Sequence, residues 1–288
     1  MSKAIRRIWL CADDYGMAPG VNAAIRQLIA KKRINATSVM MPGGYLGNGE
    51  AEALASLNAD EPHAAIGLHV TLTAPFKPLT EGFAPLRQDA FLPINEMMKL
   101  AMTRRLADAP LEAEIAAQLH AFIDMFGRAP DFIDGHQHVH LLPQVRNAFL
   151  KVASEMAPKA WVRQCGRARA GRLLHDKKSL VLDVLSLGFR SQATRRGLVT
   201  NPAFAGAYAF SAKAQFAKLF PRFLKGLPDG GLVMCHPGFV DEALQSLDSL
   251  TTLREHEFAF FNSDAYPGLL AEHGVALAQP SGESPRAS

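Results

Sequence analysis

The chain has 288 residues, of which 31 are Lys or Arg and 27 are Asp or Glu, so its formal net charge is +4. Residues 163–196 hold nine basic and two acidic side chains, so this basic segment carries +7 and leaves −3 for the remainder. A basic field over the whole surface is therefore excluded, and we expect no nucleic-acid partner. The three cysteines form no paired motif, which argues against a disulfide framework or a thiolate zinc site.

No apolar run approaches the roughly 18 residues that a membrane-spanning helix needs, and the N-terminus lacks a signal-peptide core. We therefore expect a cytoplasmic protein without a transmembrane segment. A hydrophobic share of 48% and a charged share of 20% are typical of a globular chain with a large core.

Apolar segments alternate with amphipathic segments along the chain. The patterns predict strands at residues 6–14, 36–42, 64–72, 131–140, 160–165 and 231–238, with a last short strand near Val275. They predict helices at residues 20–33, 111–127, 143–157, 211–227 and 251–263, and a further Ala- and Leu-containing stretch starts at Glu50. Strands separated by helices favour an α/β fold with a parallel sheet or barrel.

Two long stretches interrupt this alternation, near residues 73–110 and 166–207. We interpret residues 1–275 as a single barrel domain with these two insertions, followed by a flexible tail at 276–288. In parallel α/β folds the long loops after the strands usually form the binding face. Both insertions are therefore candidates for substrate contact.

Asp13 and Asp14 end the first predicted strand. Successive strand residues face opposite sides of a sheet, so two adjacent carboxylates reach one site only where the chain turns, and Gly16 and Gly20 favour a turn. One carboxylate would then bind a metal while the other acts as a base. The alternative is that the pair caps the first helix or lies in solvent.

A lone histidine in an apolar strand, such as His69, is more often a hydrogen-bonded core residue than a ligand. The sequence DGHQHVH changes this interpretation, because Asp134, His136, His138 and His140 alternate and would share one face of an extended strand. A divalent cation or an acid-base network relieves such crowding. Carboxylate and imidazole donors without a nearby thiolate favour zinc, magnesium or manganese, with an open position for water.

His236 follows the last strong strand and precedes Pro237-Gly238, so its ring lies at a turn, where it is either a general acid or a buried or capping histidine. Arg163 follows another strand. In a parallel barrel the carboxyl ends of all strands meet at one rim. The polar residues after successive strands therefore predict a single site.

These segments resemble a known family. LCADDYGMAPGVNAAI with ATSVMM, then IGLHVTLT, FGRAPDFIDGHQHVHLLP, VMCHPGF and LREHEF are similar, in this order, to the motifs of the YdjC-type carbohydrate deacetylases, also called the ChbG/HpnK family. The resemblance covers residues 7–262. It implies a distorted (β/α) barrel related to the polysaccharide deacetylases, and metal-dependent removal of acetyl groups from an N-acetylated sugar.

The resemblance also implies roles for individual residues. By motif, Asp14, His69 and His136 match the ligands of one divalent metal ion, with magnesium or zinc expected. Asp13 matches the catalytic base, and His236 matches the general acid. The further expectations are that Asp134 orients His136 and that His138 and Arg163 contact substrate or steady Asp13. Phe204 is expected either to contact substrate or to support a site residue.

The substrates that the resemblance implies are chitooligosaccharide-like sugars or lipid-linked sugars such as a hopanoid-associated glycolipid. The alternative is a metal-dependent hydrolase of another ester or phosphoester, which would use the basic segment. We place that segment in a loop region above the metal site, where it is either a solvated flank or a contact for a phosphate-bearing or membrane-bound acceptor. A homodimer is an open alternative to a monomer.

Overall fold

The apolar segments form one parallel sheet around a core of buried aliphatic and aromatic side chains. The computed structural model describes residues 4–47, 49–168, 177–211 and 214–280. Within these ranges the strands are β1 (Arg6–Tyr15), β2 (Ala36–Val39), β3 (Ala65–Val70), β4 (Phe132–Gly135), β5 (Trp161–Val162), β6 (Phe204–Ala205), β7 (Leu232–Cys235) and β8 (Val275–Leu277).

The strands lie in the order β5-β4-β3-β2-β1-β7-β6, and β8 pairs with the start of β1. All of these pairings are parallel. Isolated bridges from Val162 to Thr200 and from Arg167 to Phe204 bring the two ends of the order together. The sheet therefore curls into an incomplete barrel, and the prediction of a distorted (β/α) barrel is confirmed.

Helices connect the strands, as a parallel sheet requires. They are α1 (Pro19–Ala30), α2 (Glu50–Ala55), α3 (Ile94–Met102), α4 (Asp108–Phe126), α5 (Pro143–Met156), α6 (Lys177–Arg195), α7 (Phe216–Leu224), α8 (Glu242–Leu247), α9 (Thr252–Asn262) and α10 (Ala265–Glu272). Proline occupies the first turn of α1 and α5, where its missing N–H is not needed. Among the helices in the described ranges, none is both long enough and apolar enough to cross a bilayer.

The described residues correct three details of the sequence interpretation. The predicted insertions contain the helices α3 and α6, which the patterns there did not indicate. Ala276 and Leu277 belong to β8, so the tail does not start at residue 276, and residues 281–288 lie outside the described ranges. The predicted strand at 131–140 ends at Gly135, because the chain turns into a 3₁₀ segment at His136.

The basic segment is largely helical rather than a loop, because α6 covers residues 177–195. Arg163 is buried beneath the strand ends, and Arg167 pairs with Asp183 at 2.8 Å. Arg169 and Arg172 lie outside the described residues. The positive charge of this segment is therefore divided between the interior and the surface.

Gly67 makes room for an aromatic stack in the core. The Phe132 ring lies parallel to Trp161, with the ring centroids 4.4 Å apart, and a Cβ at Gly67 would approach the Phe132 ring to 2.5 Å. The Phe132 ring cannot move away from such a Cβ without losing its contact with the Trp161 ring. A glycine inside β3 is therefore a packing requirement.

We expect Gly67→Ala to lower the free energy of unfolding by about 1–3 kcal/mol, because the added methyl group overpacks the core. Urea unfolding followed by circular dichroism measures this change. Gly82→Ala is the matched control, since a Cβ at that exposed position meets no atom within 4 Å. Equal stability of the two variants would contradict the packing argument.

Candidate active site

The carboxyl ends of the strands form the floor of a cavity of about 790 Å³. Six of the predicted site residues line this cavity: Asp13, Asp14, His69, His136, His138 and His236. Asp134 and Arg163 lie buried beneath them and contact them directly. The strand register explains the convergence, because β3 and β4 place His69 beside Asp134, and β1 and β7 pair Ala12 with Cys235, so that Asp13 and His236 follow at the same level.

Both carboxylates of the Asp13-Asp14 pair reach the cavity because β1 is irregular at this point. Asp14 has a positive φ of 74°, and the pairing of β1 with β2 shifts register between Ala12 and Tyr15. A bulge of this kind re-aims a side chain at the end of a strand. The irregularity at Asp14 therefore precedes the predicted turn, which follows at Gly16, where φ is 94°.

Asp14, His69 and His136 present one set of donor atoms to the same point. Asp14 Oδ1 lies 3.3 Å from His69 Nε2 and 2.9 Å from His136 Nδ1. One ligand atom from each residue lies within 4.8 Å of the others, and all three side chains are buried. One carboxylate and two imidazoles are a usual donor set for a catalytic divalent cation.

The charges around this donor set also suit a divalent cation. Six ionisable groups are joined by ion pairs here, four carboxylates and two guanidinium groups with a formal net charge of −2: Asp13, Asp14, Asp134, Asp248, Arg163 and Arg254. Burial opposes protonation of His69, but Asp134 and Asp14 outweigh it and raise the pKa of the ring to about 10. The pocket therefore attracts positive charge at this ring.

Asp134 orients His69 and not His136, which corrects the sequence expectation. Its Oδ1 lies 2.5 Å from His69 Nδ1, and Ser38 Oγ lies 3.0 Å from the same nitrogen. His69 Nε2 is thereby directed towards Asp14. A carboxylate behind a ligating histidine fixes the tautomer and the orientation of the ring.

Arg163 is fully buried and binds two carboxylates. Its Nη1 and Nη2 each donate to Asp13 over 2.6 Å, and Nη2 lies 2.5 Å from Asp134 Oδ2. Burial opposes ionisation of Asp13, but Arg163 outweighs it and holds the pKa of the Asp13 carboxyl well below its usual range. The expectation that Arg163 steadies Asp13 agrees with this geometry.

The histidines after His136 do not share a strand face. Gln137 and His138 have positive φ angles of 52° and 59°, so the chain turns away from β4. His138 still lines the cavity, and burial followed by Arg163 lowers its pKa to about 3. His140 points beneath the site, where its Nε2 lies 2.9 Å from the Arg163 carbonyl oxygen.

Phe204 does not line the cavity, so its position fits the second of its two expected roles, support of a site residue, and not substrate contact. Its buried ring packs edge-on against His138, with centroids 5.6 Å apart. Strand β6 pairs with β7 at this residue, so its side chain faces the core. Phe204 therefore supports a cavity residue from behind.

Two residues of α9 complete the site, although the sequence interpretation assigned them no role. Arg254 Nη2 lies 2.7 Å from Asp14 Oδ2 and 2.7 Å from Asp248. Glu257 accepts hydrogen bonds from the His236 backbone N–H and from the Tyr208 hydroxyl, each over 2.6 Å. The sequence signal for Arg254 and Glu257 was the LREHEF segment, in which these two charged residues are three positions apart and so lie on the same side of the helix.

His236 stands at the turn after β7, as predicted. Burial lowers its pKa, and Asp14 partly offsets this effect. Its ring packs edge-on against the exposed Phe210 at a centroid distance of 5.4 Å. A largely neutral imidazole therefore lines the same cavity as the ionised Asp13.

The comparisons with known proteins agree with the fold. The family model of YdjC-like proteins matches residues 7–272, so the chain belongs to the YdjC-like family. A candidate cellobiose-phosphate cleavage protein from Enterococcus faecalis is 21% identical, with 96% of this chain and 98% of that chain covered and a TM-score of 0.72. The family resemblance drawn from the motifs is thereby confirmed.

Two other solved structures are similar to this chain at lower identity. The lactam utilization protein from Thermus thermophilus is 15% identical, with 96% and 100% of the two chains covered and a TM-score of 0.50. A family 4 carbohydrate esterase from Streptomyces lividans, solved with acetate, is 11% identical, with 99% and 98% covered and a TM-score of 0.47. At these identities the likenesses describe the fold alone.

Glu257 is expected to make stability depend on pH. Burial raises its pKa to about 7, so between about pH 4.5 and pH 7 the folded protein keeps a proton that the unfolded chain releases. Raising the pH through this window should therefore destabilise the native protein by roughly 3 kcal/mol relative to Glu257→Gln. Urea unfolding of both proteins across the window measures the difference.

The exposed Glu272→Gln provides the matched control, which should follow the wild-type pH dependence. The Gln side chain still accepts from the His236 N–H, so Glu257→Gln is expected to fold. Parallel pH profiles for the wild type and Glu257→Gln would contradict the raised pKa.

Proposed function

We propose that this protein is a metal-dependent N-deacetylase of acetylated sugars. The observation that carries the proposal is the buried donor set of Asp14, His69 and His136 on the floor of a cavity that also holds Asp13 and His236. Amide hydrolysis needs a water, a base for its proton and an acid for the departing nitrogen. Membership of the YdjC-like family and the motif resemblance support the same reaction.

A divalent cation held by Asp14, His69 and His136 would supply Lewis acidity for water and for the acyl oxygen. Two imidazoles beside one carboxylate favour zinc over magnesium. Asp134 fixes the His69 ring, and Arg254 holds the second oxygen of Asp14, so the donor atoms are oriented in advance.

Asp13 is placed to accept the proton of the attacking water. Arg163 keeps its carboxylate ionised and holds both oxygens in position. Water adds its hydroxyl group to the acetyl carbon, the C–N bond breaks, and a proton reaches the amine, so acetate and a free amine are released. The largely neutral His236 ring would first take up the proton that Asp13 removes from the water and then pass it to the amine, and its lowered pKa makes the protonated ring a stronger acid.

The cavity volume lies within the usual range for small-molecule sites and suits a sugar unit. The exposed Phe210 ring at the edge of His236 offers an apolar face for a pyranose. We propose an N-acetylated sugar, free as in a chitooligosaccharide or carried as the head group of a glycolipid, as the substrate. Both bring the same acetamide to the cavity.

The phosphoester alternative is less well supported. Arg163 pairs with Asp13 and Asp134 beneath the cavity and does not line it. Of the described residues that line the cavity, Arg254 is the one with a guanidinium or ammonium group, and two carboxylates bind it. Apart from the proposed metal ion, a doubly charged phosphate would therefore meet more carboxylates than cations in the cavity.

Asp14→Ala should lose both zinc binding and acetate release, because it lacks a metal ligand. Asp13→Asn should still bind zinc, but its kcat should fall by about 10²–10⁴-fold because it lacks only the base. Calorimetric zinc titration and acetate release from N-acetylated chitobiose measure the two properties. Asp124→Asn, on the exposed face of α4, is the matched control. A fully active Asp13→Asn enzyme would exclude Asp13 as the base.

Phe210→Ala should raise KM for the acetylated sugar by about 3–10-fold, because the sugar loses an aromatic contact. The change in kcat should be smaller, since zinc ligands and the base are intact. Steady-state kinetics on the same disaccharide measure both constants, and Phe210→Tyr should restore KM. An unchanged KM for Phe210→Ala would remove Phe210 from the binding surface.

A further inference from the structure

Helix α6 turns an apolar face towards solvent. Leu180, Val184 and Leu187 are 59%, 62% and 62% exposed, and Val181 beside them is 51% exposed. Their spacing of four and three residues places them on one side of the helix. The opposite side packs inwards, where Phe189 is buried. The exposed side is therefore a continuous apolar stripe and not a set of scattered residues.

This stripe reaches the cavity, which is also lined by an exposed apolar residue of α3. Val181 lines the cavity, and so does Met98 of α3. Met98 and Met102 lie one helical turn apart and are both exposed. We call these side chains, together with Leu180, Val184 and Leu187, the apolar face. Large exposed patches of this kind mark interaction surfaces.

The charges beside the apolar face are mainly positive. Within α6 the one acidic residue is Asp183, which is buried and paired with Arg167. Arg190, Arg195 and Arg196 are exposed at the end of this helix. Arg104 and Arg105 are exposed just after α3. The partner that complements this surface is therefore both apolar and anionic.

We propose that the apolar face docks on the anionic surface of a lipid bilayer. The leucine, valine and methionine side chains would enter the headgroup and acyl boundary, while the arginines contact anionic headgroups. A second copy of the chain fits less well, because a two-fold contact through this face would bring like charges together. The inference goes beyond the proposed reaction and does not depend on it.

Flotation of the full chain with vesicles tests the proposal. Wild-type protein should float with vesicles of phosphatidylcholine and phosphatidylglycerol, and far less with phosphatidylcholine alone. The triple variant Leu180→Ser, Val184→Ser, Leu187→Ser should bind at least about tenfold more weakly, since its apolar contacts are removed. These three residues do not line the cavity, so turnover of a soluble acetylated disaccharide should be unchanged.

The matched control is the double variant Ile5→Ser, Met125→Ser. Both residues are exposed, at the amino end of β1 and the carboxyl end of α4, which is the opposite end of the sheet from the cavity. This control should float like the wild type. Replacing Arg190, Arg195 and Arg196 with Gln should weaken binding to anionic vesicles by about fivefold for each charge removed.

Three results would overturn the proposal. The first is a wild-type protein that does not float with anionic vesicles, and the second is a triple serine variant that floats equally well. The third is a wild-type dimer in sedimentation velocity that the serine variant lacks, without flotation of either protein, which would identify the face as a protein interface. If neither the wild type nor any variant releases acetate while flotation is intact, the proposed reaction is refuted and the proposed docking surface is still supported.

Discussion

The ion pairs of the buried Arg163 guanidinium are the interactions on which the rest of the site depends. Arg163 pairs with Asp13 of β1 and Asp134 of β4, and Asp134 in turn holds His69 of β3. A charge this deep in a protein is costly unless it is fully paired, so both carboxylates are held at fixed positions. The same contacts keep Asp13 ionised and direct His69 Nε2 towards Asp14.

Two layers of side chains support this centre from different directions. Arg254 and Glu257 of α9 approach from the helical layer and hold Asp14 and the turn at His236. Arg163 and Asp134 approach from within the barrel and hold Asp13 and His69. Because Asp13, Asp14 and His69 are each held by a buried partner of opposite charge, this part of the cavity floor is organised before substrate enters. The exposed face of α6, by contrast, has no partner among the described residues and is available for contact.

Much of the fold and part of the site followed from local patterns. The strands and the major helices have strong periodicity, and the rule that parallel strand ends share one rim brought Asp13, His69 and His236 to a single site. The interpretation of DGHQHVH as one strand face was wrong, because periodicity does not reveal that Gln137 and His138 adopt positive φ angles. Helix α6 was missed because apolar residues lie on both its exposed and its buried sides, so its sequence lacks an amphipathic period.

The sequence by itself determined the class of fold, the family motifs and the types of side chain at the strand ends, because these depend on short-range periodicity and on residue chemistry. Only the tertiary structure decided which side chains contact one another. Asp134 serves His69 and not His136, Phe204 faces the core, and Arg254 crosses from α9 to Asp14. These pairings join residues up to 240 positions apart, and their choice depends on strand register and on the requirement that every buried charge find a counter-charge.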